Sequence, residues 1–136
     1  MPMQVFIADD SAAICERLAA VIQETPGAEL AGQARDTTEA TRSILKLRPD
    51  VVILDVRMPP RSGVDVLQTI KRLDPPPKVI VLTNYPYPQY RKRCIDAGAD
   101  YFLDKSAELE KLMPLLKRLA KDSSQHPEAR PMAGTP

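Results

Sequence analysis

Tryptophan is absent from the chain, and histidine, cysteine and glycine are scarce: one, two and five residues among 136. A lone histidine, His126, excludes a multi-histidine metal centre and is a poor start for a His-based catalytic triad. Cys15 and Cys94 stand far apart, in no CxxC or Cys/His spacing. Each falls on an apolar helical face, so both read as core thiols of a reducing compartment. The five glycines form no GxGxxG fingerprint for a dinucleotide. Neither sign of charge is in excess, since 19 Lys and Arg against 18 Asp and Glu leave +1. That balance removes any bulk electrostatic case for nucleic acid or a membrane surface. No apolar run approaches the ~20 residues of a membrane span. The apolar residues 5–8 run straight into two aspartates, unlike a signal peptide. A cytoplasmic chain without membrane insertion is expected.

Proline is plentiful, with 14 residues gathered where turns and a tail belong. Hydrophobic residues make up an ordinary 43%, enough at this length for one core without metal or disulfide. Apolar runs at 5–8, 51–54, 79–82 and 101–103 are too short for helices and read as buried strands. A weaker run spans 28–34, where Leu30 and Ala34 flank Gly32. Between the runs the period turns helical. Ile14, Leu18, Val21 and Ile22 form one face, ended by Pro26-Gly27. Ala40, Ile44 and Leu47 form the next, after the cap candidates Asp36 and Thr37. Val66, Leu67, Ile70 and Leu73 precede Pro75-Pro76-Pro77, and Tyr90, Cys94 and Ala97 precede Gly98. Leu109, Leu112, Leu116 and Leu119 mark a last helix over 106–121. Pro114 falls inside it and predicts a bend near 110–114. Strand and helix alternate five times, which predicts an α/β fold with a mainly parallel sheet covered on both faces. The folded domain is read as residues 1–122. From 123 to 136, prolines and serines with a single large apolar residue, Met132, read as a disordered tail.

In such a sheet, ligands bind beyond the carboxyl ends of the strands. Asp9-Asp10 follow the first run, Asp55 the third, Thr83 the fourth, and Asp104-Lys105 the fifth. Converging carboxylates repel one another, and a hard divalent cation resolves the conflict with oxygen ligands. Lys105 then offers a point charge and Thr83 a hydroxyl to phosphoryl oxygens. The set suits acceptance of a phosphoryl group on a carboxylate.

These residues, with the run Leu54-Asp55-Val56-Arg57-Met58-Pro59 and Gly63 behind it, resemble the receiver domain of two-component response regulators over about residues 3–122. The resemblance implies a flavodoxin-like, doubly wound (βα)5 fold with a parallel sheet in order 2-1-3-4-5. It implies that Asp55 is the phosphoacceptor, served by a sensor histidine kinase or phosphotransfer protein. Asp10, Asp55 and the backbone carbonyl of Arg57 would ligate Mg²⁺ (or Mn²⁺), with Asp9 acting through water. Thr83 and Lys105 would hold the phosphoryl oxygens, and Thr83 with Phe102 would carry the switch. Such a chain is no enzyme beyond its own phosphorylation and dephosphorylation. It signals by phosphorylation-dependent binding to another protein, and a homodimer is left open.

Each residue also has a plainer reading: Asp10 as a helix N-cap, Asp55 as a turn residue before Pro59-Pro60, Lys105 and Thr83 as ordinary surface residues. The run Arg91-Lys92-Arg93 reads as a solvated helix face rather than a nucleic-acid site. Departures from the family pattern are local. Asn84 stands after the switch Thr, where receivers usually carry a small residue, and Tyr85-Pro86-Tyr87-Pro88 follows. Ser106 replaces the usual proline after the active Lys, where the bond is often cis; a cis bond to Ser would cost about 2.5–4 kcal/mol. Phe102 replaces a tyrosine, and Tyr101 beside it points to the opposite face. Arg57, Asn84 and Tyr85 would flank the path of hydrolytic water, so slow self-dephosphorylation is expected. The rival to a single-domain receiver is the receiver portion of a DNA-binding transcriptional regulator. An aspartyl-phosphate enzyme is disfavoured, because Arg57 stands where its second catalytic aspartate belongs.

Overall fold

Short apolar runs alternate with amphipathic segments through the whole computed structural model, which describes residues 2–60, 62–84 and 87–125. The strands are β1 (Met3–Ala8), β2 (Ala28–Ala34), β3 (Val51–Leu54), β4 (Lys78–Thr83) and β5 (Tyr101–Asp104). The helices between and after them are α1 (Ala12–Gln23), α2 (Thr37–Leu47), α3 (Gly63–Ile70), α4 (Pro88–Asp96) and α5 (Leu112–Gln125). All strands pair in parallel in the order β2-β1-β3-β4-β5. This is the flavodoxin-like receiver arrangement.

Strand alternation splits the core into two layers. Phe6, Val52, Leu54, Val79, Val81 and Phe102 face α2, α3 and α4, meeting Ile44, Leu67, Ile70 and Cys94. Val5, Ile7, Ile53, Ile80 and Leu82 face α1 and α5, meeting Leu18, Ile22, Leu112 and Leu116. Tyr101 and Phe102 fall in opposite layers, as alternation requires.

Helix ends follow the expected signals in most places. Asp36 caps α2 by accepting from the Glu39 N–H at 2.7 Å, and Gly98 takes the left-handed turn after α4 with φ 113°. Ser11, rather than Asp10, caps α1, accepting from the Ile14 N–H at 3.2 Å. Leu47, placed on the apolar face of α2, is 47% exposed. It lies at the sheet margin beside Gly32, where a Cβ on that glycine would sit 3.3 Å from its Cδ1.

The last helix starts later than its pattern suggested. A 3-10 turn at Leu109–Lys111 precedes α5, so Pro114 is the third helical residue. First-turn N–H groups have no intrahelical acceptor, so the proline removes no ladder bond and no interior kink is needed. α5 runs on to Gln125, past the boundary read at 122; His126, Met132 and the remainder of the expected tail lie outside the described residues. Among the described residues no helix is long and apolar enough to cross a membrane.

Candidate functional site

Register brings the acidic residues level. Ala8 pairs with Leu54 across β1 and β3, so the chain leaves both strands at the same height, with Asp9 and Asp55 next in each. The Asp55 N–H donates to the Ala8 carbonyl at 2.8 Å, and the Asp9 N–H to the Ala34 carbonyl at 3.1 Å. On the other side Thr83 pairs with Asp104, and the Lys105 N–H donates to the Thr83 carbonyl at 2.7 Å. Every residue singled out at a strand end thus reaches one rim.

Lys105 is the centre of its charge balance. Its Nζ lies 2.8 Å from Asp9 Oδ2 and 3.2 Å from Asp55 Oδ2, with all three side chains under a tenth exposed. Burial alone would depress the ammonium. The Asp9 hydrogen bond and the charge of Asp55 outweigh it and hold the lysine above its ordinary value. Burial pushes the Asp55 carboxyl up, and the Asp9 charge adds to the push. The Arg57 N–H, donating to Asp55 Oδ1 at 2.9 Å, and the Lys105 ammonium oppose it. Asp9 also accepts from the Ser11 N–H at 2.9 Å. Asp10 differs from both neighbours in being exposed.

Asp10, Ser11, Ile14, Asp55, Arg57, Asn84 and Lys105 line a cleft of about 390 Å³ above this cluster. Asp9, Asp10 and Asp55 can each present one oxygen, all within 4.8 Å of one another. Hard carboxylate oxygens at that separation, one residue open to solvent, suit Mg²⁺ or Mn²⁺, which retain waters. The acidic cluster can therefore hold such a metal.

Thr83 is fully buried at the end of β4. Phe102 lies against the α4 layer with the Arg91 guanidinium carbon 5.7 Å from its ring centre. Arg57 and Asn84 are exposed at the mouth of the cleft, whereas Tyr85 lies outside the described residues. The Lys105–Ser106 bond is trans; the cis bonds among described residues are Pro59–Pro60 and Asp74–Pro75.

Several contacts have no signature in the pattern of apolar runs. The Tyr90 hydroxyl reaches the Val56 carbonyl at 3.4 Å, joining α4 to the loop that carries Asp55. The Cys15 thiol sits under Asp9, 3.4 Å from its carbonyl. Ser106 Oγ lies 3.3 Å from Asn84 Oδ1. The Asp104 carboxylate accepts from the Ser106 and Ala107 N–H groups at 2.8 and 3.3 Å, an Asx-type turn that the Asp-Lys-Ser order could have announced. It folds the chain straight after Lys105.

Strand order and an acidic rim at the carboxyl ends of the strands define a class within flavodoxin-like α/β proteins, and comparison with known proteins narrows it. A family model for the response regulator receiver domain matches residues 5–117. The chain is 34% identical over 119 residues to the uncharacterized transcriptional regulatory protein YvfU of Bacillus subtilis, covering 88% of this chain and 60% of that protein. It is 31% identical over 121 residues to the chemotaxis protein CheY of Thermotoga maritima, covering 89% of this chain and 100% of the other. The solved response regulator domain of Thermotoga maritima CheB superposes with a TM-score of 0.77 at 26% identity, covering 90% of this chain and 96% of that one. The chain belongs to the response regulator receiver family of two-component systems.

Proposed function

We propose that the chain is a phosphorylation switch in which Asp55 accepts a phosphoryl group from a histidine kinase or phosphotransfer protein. The observation that carries this is the buried Asp55 carboxylate, paired with Lys105 at 3.2 Å and open to a cleft lined by further oxygen and amide groups. An Asp55 oxygen attacks phosphorus while the bond from phosphorus to the donor nitrogen breaks, leaving an acyl phosphate. Arg57 N–H holds the other Asp55 oxygen and so orients the attack. Lys105 Nζ transfers from Asp55 Oδ2 to a phosphoryl oxygen, and the Thr83 hydroxyl donates to a second. Asp10, Asp55 and the Arg57 carbonyl would hold Mg²⁺ (or Mn²⁺), with Asp9 acting through water, and the metal would supply charge neutralisation for the phosphoryl oxygens. Arg57, at the cleft mouth, crowds the path of hydrolytic water and slows loss of the group.

Thr83 and Phe102 then pass the change to the α4 side, altering affinity for a protein target. The chain catalyses nothing beyond its own phosphorylation and dephosphorylation, and works in the cytoplasm, consistent with two unpaired, buried cysteines. A second reading, the receiver portion of a DNA-binding regulator, is favoured by the match that spans only 60% of YvfU. The test is direct. With Mg²⁺ and acetyl phosphate the protein gains one acid-stable, base-labile phosphate. Asp55→Asn abolishes the gain and EDTA suppresses it. Full incorporation in the Asn variant overturns the assignment.

A further inference from the structure

Past the last paired residues of β4 and β5, Thr83 and Asp104, the two chains separate toward different helices. One side-chain contact extends their pairing into the loops: Ser106 Oγ donates to Asn84 Oδ1 at 3.3 Å. These are the two positions, each just after an active-site residue, where the chain departs from the family pattern. Their contact gives both departures a single explanation. Ser106 is itself placed by its N–H, which donates to Asp104 Oδ1 at 2.8 Å, and Asp104 is tied in turn to Glu108 through its own N–H at 2.9 Å.

An asparagine amide has two distinguishable ends, and which end faces a ligand decides whether it donates or accepts. Once the Ser106 hydroxyl occupies Oδ1, the Nδ2 group is the end left for the cleft that Asn84 lines with Asp55, Arg57 and Lys105. A phosphoryl group carries only acceptors on its free oxygens, so an amide N–H₂ fits it and an amide oxygen would repel it. We infer that Asn84 is a further phosphoryl-binding donor and that Ser106 is the positioning residue that fixes its amide. This rests on the reading of Asp55 as phosphoacceptor. It adds a donor that the Asp9, Asp10, Asp55, Thr83 and Lys105 set does not contain, and it ties the loop after Thr83 to the loop after Lys105 when the group is bound.

Beryllofluoride with Mg²⁺ is the probe, because its fluorines accept hydrogen bonds as phosphoryl oxygens do. With no Trp and four Tyr in the chain, tyrosine fluorescence reads the titration without interference. Removing one hydrogen bond to a charged group should weaken binding at least about tenfold. Asn84→Ala and Ser106→Ala should each show a loss of that order, and the double variant should lose no more than Asn84→Ala alone. Ser106→Thr, which keeps the hydroxyl, should bind as the parent does, and this rescue separates orientation from mere packing. Thermal melts of the free proteins check that all variants are folded. Parent-like binding by Ser106→Ala, or a double variant that loses the product of the single effects, overturns the pairing. A parent that takes up no beryllofluoride overturns the Asp55 reading itself, so the two failures are distinct.

Discussion

Asp55 illustrates how a single side chain can be costly to the fold and necessary to the site. Burial holds its carboxyl above the ordinary value. A group raised in the folded chain binds its proton more tightly there than in the unfolded chain. Folded stability therefore falls as pH rises through the window between the two values, and the full cost is present above the raised one. Asn at this position removes the charge while Lys105 keeps Asp9 at 2.8 Å. In EDTA at neutral pH, Asp55→Asn should thus melt a few degrees above the parent. Mg²⁺ should close the gap, because it binds the folded parent better than the variant and stabilises it by mass action. Differential scanning calorimetry with and without the metal checks both halves. A variant that melts below the parent in EDTA would mean that the pair with Lys105 outweighs the burial cost.

At the scale of elements, the site depends on a close approach between β3 and α3. The Gly63 N–H donates to the Val56 carbonyl at 3.0 Å. A Cβ on Gly63 would lie 2.3 Å from Val56 Cα and 2.9 Å from the Asp55 carbonyl oxygen. Both are backbone atoms of the segment that carries Asp55, so no side-chain rotation relieves the clash. Gly63→Ala should cost stability at or above the top of the ~1–3 kcal/mol range usual for overpacking, read as a fall in the urea midpoint. Phosphate uptake should drop even where the protein remains folded. An unchanged midpoint would show that α3 can slide away from the loop.

The elements also show what the chain discloses by inspection and what it withholds. Strand-end residues were legible because a short apolar run and the polar residue after it are contiguous, so Asp9, Asp55, Thr83 and Lys105 could be placed on one rim. β2 was faint, since its pattern of half-buried small residues around Gly32 carries little apolar signal. The start of α5 is hidden because leucine spacing continues through the 3-10 turn at Leu109–Lys111, and periodicity does not distinguish that turn from a helix. Ser11 and Asp10 are both good caps, and only the backbone geometry chooses. Contacts made by loop residues, such as Asn84 with Ser106 or Val56 with Tyr90 of α4, join residues far apart in sequence, and no local pattern records them.

For the whole molecule, the sheet divides the interior into two apolar layers. Ile22, a fully buried residue of α1, belongs to the layer that α1 and α5 form under the sheet. Phe102 belongs to the other, in register with Val81 on β4, two residues before Thr83. If the switch proposed for Thr83 and Phe102 runs through the α4 layer, the layers should respond differently to the bound phosphoryl mimic. Ile22→Val should lower stability by about 0.5–1.5 kcal/mol. The increment gained from Mg²⁺ and beryllofluoride depends only on ligand affinity and concentration, so in Ile22→Val it should match the parent's. Phe102→Leu should lower stability comparably and also change the increment, by about threefold in apparent affinity, equivalent to about 0.65 kcal/mol. The change arises because the ring, with Arg91 over it at 5.7 Å, takes part in the equilibrium that the ligand shifts. Melting curves over a range of beryllofluoride concentrations separate baseline from increment. Equal increments in all three proteins would mean that Phe102 only fills space and that the signal leaves the site by another route.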